Sequence, residues 1–121
     1  MATGNDGGVI DRLLLMVLAM ERRFPKGSDP FKMVARLAEE CGELAAEVQL
    51  WEDEGVKRQR FGEPDPAKTA KEVMDVLTAT LAIARHYDLL DHLSVRVESS
   101  IARALKEGLI TQDDLTSASR R

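Results

Sequence analysis

Apolar residues recur at the three-and-four spacing of helices in four runs separated by glycine and proline. The first run, Val9, Ile10, Leu13, Leu14, Val17 and Leu18, predicts a helix that stops before Pro25, because a residue ahead of proline is pushed out of the helical region. Residues Pro25 to Pro30 read as a turn, with Asp29 as N-cap and Pro30 at the first position of a second helix reaching about Glu54. Val34, Leu37, Ala38, Cys41, Leu44, Ala45 and Val48 mark its expected apolar side, and Lys32, Arg36, Glu39, Glu43 and Glu47 its polar side. Gly42 costs about 1 kcal/mol relative to alanine inside a helix, which points either to the close approach of a backbone or ligand or to a merely tolerant position.

Gly55 to Pro66, with a basic patch at Lys57, Arg58 and Arg60 around Phe61, predicts a mobile loop. Asp65-Pro66 then repeats the cap-and-proline signal and opens a third helix ending near His86. A fourth helix follows Tyr87-Asp88, with Leu90, Leu93, Val97, Ile101, Ala104 and Leu105 as its seam and Gly108 as its C-terminal stop. Residues 1–8 are a flexible lead-in, 9–108 one helical domain, and 109–121 a tail with little to bury, expected to be disordered beyond Leu115. Strand-like alternation, internal repeats and a glycine-rich phosphate loop are all lacking, so the expected fold is all-α, a four-helix bundle.

The third helix changes that picture. Val73 to Ala84 reads VMDVLTATLAIA, in which Asp75 is the only charge, so neighbours should cover it on several sides. A short chain burying one stripe per helix cannot do this alone, which favours a homodimer or homotetramer.

Composition narrows the function classes. The net charge of −4 and a pI near 5.2 argue against a nucleic-acid polymer as partner. The single Cys41 allows no intramolecular disulfide, no Cys/His spacing suggests zinc, and a reducing cytoplasm is the natural setting. Cys41 itself is expected to be a small core residue. The apolar run Leu13 to Met20 is too short to span a bilayer and lacks the flanks of a secretory signal, so no membrane partner is expected.

The candidate chemistry lies in two acidic clusters. Glu40 and Glu43 sit about 60° apart on one helix face, as do Glu72 and Asp75. A carboxylate in the apolar third helix loses several kcal/mol of hydration unless a cation or donor replaces the water. Four converging carboxylates would repel one another unless a hard divalent cation sat between them, and Mg²⁺ or Mn²⁺ suits an all-oxygen site that also accepts phosphate.

With EExxE at Glu39, Glu40 and Glu43, ExxD at Glu72 and Asp75, and the stretch ERRFPKGSDPFKMVARLAEECGELAAEV, the chain resembles the MazG-like all-α nucleoside triphosphate pyrophosphohydrolases over roughly residues 9–108. The resemblance implies Mg²⁺- or Mn²⁺-dependent hydrolysis of an NTP or dNTP to the monophosphate and pyrophosphate. It makes Glu40, Glu43, Glu72 and Asp75 the metal ligands and Glu39 an acid that places or deprotonates the attacking water. Phe24, sixteen residues before Glu40, resembles an aromatic base-contacting position of the related vertebrate dCTP pyrophosphatases, and Trp51 lies near another. Lys32, Arg36 and Lys71 are candidate phosphate contacts beside the acids, and Lys68 is a further one. The chain departs from those dCTP enzymes at Ala79, where they have tyrosine, and lacks the asparagine and lysine pattern of several MazG domains around Ser99, Ser100 and Arg103. The competing reading is a non-catalytic helical oligomerisation or nucleotide-binding regulatory module in which the acids serve structure.

Overall fold

The computed structural model describes residues 8–52 and 56–118, except for the side chains of Lys57 and Arg58. The lead-in up to residue 7, the end of the second helix at 53–54 and the last three residues of the tail lie outside the described residues. Six helices and no strand are found among those described: α1 (Val9–Arg23), α2 (Pro30–Glu52), α3 (Val56–Phe61), α4 (Pro66–His86), α5 (Leu90–Lys106) and α6 (Gln112–Ala118). The protein is all-α.

The helix boundaries follow from capping chemistry. Asp29 Oδ1 accepts from the backbone N–H of Phe31 at 2.8 Å and of Lys32 at 3.4 Å, and Asp65 Oδ1 accepts from Ala67 N–H at 3.0 Å. In both cases proline follows at a position whose missing N–H would have found no partner anyway. At the end of α5, Gly108 takes φ 74°, letting its N–H reach the Leu105 carbonyl and the Leu109 N–H reach that of Ala104.

Two elements depart from expectation. Where a mobile loop was predicted, Val56–Phe61 forms a helical turn and a half, stopped by Gly62 at φ 86°. Where a disordered tail was predicted, Gln112–Ala118 is helical. Its start is a reciprocal cap: Asp114 N–H donates to Thr111 Oγ1 at 3.2 Å, and Thr111 N–H to Asp114 Oδ2 at 2.8 Å.

The chain divides into two compact units, one through Tyr87 and one from Asp88, inside the span 9–108 read as a single domain. Asp88, at φ 55°, is the non-glycine residue that turns the backbone there. In the first unit α1 and α2 both pack on α4, with Leu13, Val17, Ala79 and Leu81 buried. In the second, α5 buries none of the expected seam: Leu90, Ile101, Ala104 and Leu105 are partly covered, and Leu93 and Val97 are exposed.

The side that α2 turns inward differs from the one predicted. Leu37, Leu44 and Leu50 are partly covered together with Glu40, and Glu47 is buried, whereas Val34, Ala38, Cys41, Ala45 and Val48 face outward. Cys41 is thus exposed rather than a core residue. A side chain added at Gly42 would meet nothing within 4 Å, so no neighbouring element among the described residues approaches it closely. Nor does a single chain cover α4 on all sides, since Val73, Met74 and Leu77 remain about two-fifths exposed.

Capping and core contributions separate on substitution. Asp65→Ala is expected to cost about 1 kcal/mol and Leu81→Ala about 2–5 kcal/mol in urea unfolding. Equal small losses from both would contradict the core assignment of Leu81.

Candidate functional site

Helices α2 and α4 run antiparallel, so the end of α2 lies against the first turns of α4. Glu43 meets Glu72, Glu47 meets Lys68, and Trp51 meets Thr69. Glu40 and Glu47 are seven residues apart, two turns on one face, and Glu43 falls between them. The α2–α4 seam is therefore lined with acids where a helix pair would ordinarily place leucines.

Glu40, Glu43 and Glu72 each bring a carboxylate oxygen within 4.8 Å of the other two. One oxygen of Glu40 and one of Glu72 are buried without a hydrogen-bond partner among the described residues. Burial holds the Glu72 carboxyl above the usual glutamate range. A hydrogen bond with Glu43 and the charges of Glu43 and Asp75 push the same way, against the pull of Lys71. The sequence predicted a fourth ligand, Asp75, but its Oδ2 instead accepts from Lys71 Nζ at 2.8 Å, with the same ammonium 3.9 Å from Glu72. That contact, with the charges of Asp75 and Glu72, holds the Lys71 ammonium above its ordinary pKa. Glu39 is exposed on α2 and stands outside the three-carboxylate group.

One turn from the acids toward the N-terminus of α2, the seam opens into a cavity of about 890 Å³ between α1, α2 and α4. Its apolar wall includes Val17, Met20, Phe24, Met33 and Ala79, and its polar side includes Lys26, Lys32 and Arg36, which form no ion pair among the described residues. Phe24, half exposed, lies under the Arg23 guanidinium at 5.6 Å. The one acid on the wall, Glu21, is neutralised by Arg85 at 3.0 Å. Against an overall charge of −4, this is a local cationic basin. His86 also lines the cavity, its ring edge-on to Tyr87.

Of the predicted site residues, the structure gathers Glu40, Glu43 and Glu72 into one group and sets Phe24, Lys32 and Arg36 on the neighbouring cavity. Asp75 and Lys71 form a pair at the group's edge, and Glu39 stays outside it. Trp51 lies beyond the acids at the far end of the seam, donating from Nε1 to Thr69 Oγ1 at 2.9 Å, and does not line the cavity. The sequence reading missed Glu47, which is buried and was expected on the solvent side. Its two-turn separation from Glu40 was the available signal.

No family model, curated protein or solved structure matches the chain. No helix among the described residues is long and apolar enough to cross a membrane.

The donor set fits a hard cation. All three groups offer oxygen, and two of them hold oxygens shielded from water that no hydrogen-bond partner among the described residues satisfies. Because Glu72 binds its proton more tightly folded than unfolded, its stabilising contribution is complete below the ordinary glutamate range and is lost as pH rises through the raised value. Chelator-treated protein should therefore lose Tm from this group as pH climbs toward neutrality. Glu72→Gln should remove that component and melt higher than the parent at neutral pH. A lower Tm for Glu72→Gln there would contradict the assignment.

Proposed function

We propose that the protein is a metal-dependent nucleoside triphosphate pyrophosphohydrolase of the MazG-like kind, cleaving an NTP or dNTP to the monophosphate and pyrophosphate. The observation that carries this reading is the meeting of Glu40, Glu43 and Glu72 with partnerless buried oxygens. The cationic, apolar-walled cavity one turn away supports it. Carboxylates and cations side by side suit a ligand that is itself a metal–anion complex.

Glu40, Glu43 and Glu72 would hold Mg²⁺ or Mn²⁺, and Asp75, paired here with Lys71, would be the fourth ligand. The cation supplies positive charge against the triphosphate oxygens and acidifies water. Glu39 takes the proton of the attacking water as the α–β phosphoanhydride breaks, and pyrophosphate departs with the bridging oxygen. Lys32 and Arg36 steady phosphate oxygens from the cavity side, and Lys71, once free of Asp75, does so from α4. Phe24 offers the base a ring on which stacking is worth about 1–3 kcal/mol.

The exposed apolar residues extend the reading to assembly. Val73 and Leu77 on α4 and Val34 and Val48 on α2 are rows that one chain leaves in water. A homodimer or homotetramer with a four-helix core would cover them. A reducing cytoplasm fits the single free cysteine.

One observation favours the non-catalytic alternative: the Lys71–Asp75 pair already neutralises one predicted ligand, as a purely structural acid cluster would require. The two readings part on turnover. With Mg²⁺ or Mn²⁺, the protein should release pyrophosphate from at least one member of a complete NTP and dNTP panel, and Glu43→Gln or Asp75→Asn should abolish release. At a hundredfold excess over Kd the cation should stabilise the parent by about 2.7 kcal/mol and leave those variants unmoved. No turnover with either metal would remove the enzyme reading. Separately, sedimentation should find an oligomer that Leu77→Glu dissociates, whereas a monomeric parent would end the assembly claim.

A further inference from the structure

Glu47 has no part in the chemistry above, yet it is only 5% exposed and one of its oxygens has no hydrogen-bond partner among the described residues. Its other oxygen lies 3.1 Å from Lys68 Nζ, whose side chain is 60% exposed. For packing alone, an apolar residue would serve better at this position, because withdrawing a carboxylate from water is costly and a single exposed ammonium offsets it poorly. What the pair achieves is placement. A lysine on the first turns of α4 would otherwise sweep through solvent, and here its head is drawn to the seam, one turn past Glu72 and on the opposite side of the acids from the cavity.

We propose that Lys68, anchored by Glu47, receives the terminal phosphates, so that the substrate lies along the α2–α4 seam with its nucleoside in the cavity and its β and γ phosphates toward Lys68. This deepens the pyrophosphohydrolase reading and rests on it. From Ala79 at the cavity to Lys68 is eleven residues of α4, about 16 Å at the rise of a helix, a span comparable to an extended nucleoside triphosphate. The acids then fall at the middle of the ligand, where the scissile bond lies. Glu47 holds the Lys68 ammonium as an ion partner at 3.1 Å, and the ammonium has N–H donors to offer phosphate oxygens. Glu47 is a positioning residue that acts through Lys68.

Calorimetric binding of the two product fragments to the full chain in Mg²⁺ tests the orientation without turnover. Pyrophosphate reports the Lys68 end, and the common nucleoside monophosphates report the cavity end. Lys68→Met should weaken pyrophosphate about tenfold or more and the best-bound monophosphate by less than about twofold, with Lys68→Arg retaining most of the pyrophosphate affinity. Glu47→Gln, which leaves the lysine charged but unanchored, should weaken pyrophosphate selectively and by less. Equal losses for both fragments, or unchanged pyrophosphate binding in Lys68→Met, would overturn the proposal while leaving the pyrophosphohydrolase reading intact. A parent protein that binds neither fragment would overturn both. Should Glu47→Gln fail to fold, the Lys68 variants decide the matter alone.

Discussion

A carboxylate taken out of water keeps its charge only where a cation or hydrogen-bond donor replaces the hydration it has lost. The seam between α2 and α4 imposes this condition on Glu40, Glu47 and Glu72, each of which has an oxygen shielded from solvent and without a partner. The charged groups along the seam answer to it. Lys68 and Lys71 sit on α4 within reach of the acids, Glu72 leans toward its protonated form, and the remaining repulsion is what a divalent cation would relieve.

The same constraint explains why the seam is asymmetric. Toward the N-terminus of α2 the acids give way to the cations Lys32 and Arg36 over an apolar floor. Toward its C-terminus they give way to Glu47, Lys68 and then the Trp51–Thr69 hydrogen bond, which ties the end of α2 to the capped first turn of α4. Thr69 Oγ1 in turn donates to the Asp65 carbonyl at 3.0 Å, so the cap of α4 and the last turn of α2 are held as one piece.

Much of this was legible in the sequence because it is local. Asp29-Pro30, Asp65-Pro66 and Gly108 act through their own backbone neighbours, and they set the ends of α2, α4 and α5 where expected. The convergence of Glu40, Glu43 and Glu72 was legible for a related reason: helical spacing fixes which side chains share a face. What failed was the choice between faces. Helix α2 carries one apolar row through Leu37 and Leu44 and another through Val34, Ala38, Cys41, Ala45 and Val48, and periodicity cannot say which meets the neighbour. The structure turns the acid-bearing row inward, which made Glu47 buried and Cys41 exposed. Helices α3 and α6 escaped because each has too few apolar positions to produce a period, although Thr111-x-x-Asp114 carried a capping signal. The Lys71–Asp75 pair was hidden because the helical spacing that places Asp75 beside Glu72 also places Lys71 one turn before it.

The most direct test of the shared-cation claim is the anomalous scattering of a crystal grown with Mn²⁺. The account predicts one strong peak within coordination distance of carboxylate oxygens of Glu40, Glu43 and Glu72, absent in Glu72→Gln. Side chains that spread into solvent with no peak between them, at Mn²⁺ concentrations that saturate ordinary carboxylate sites, would contradict it.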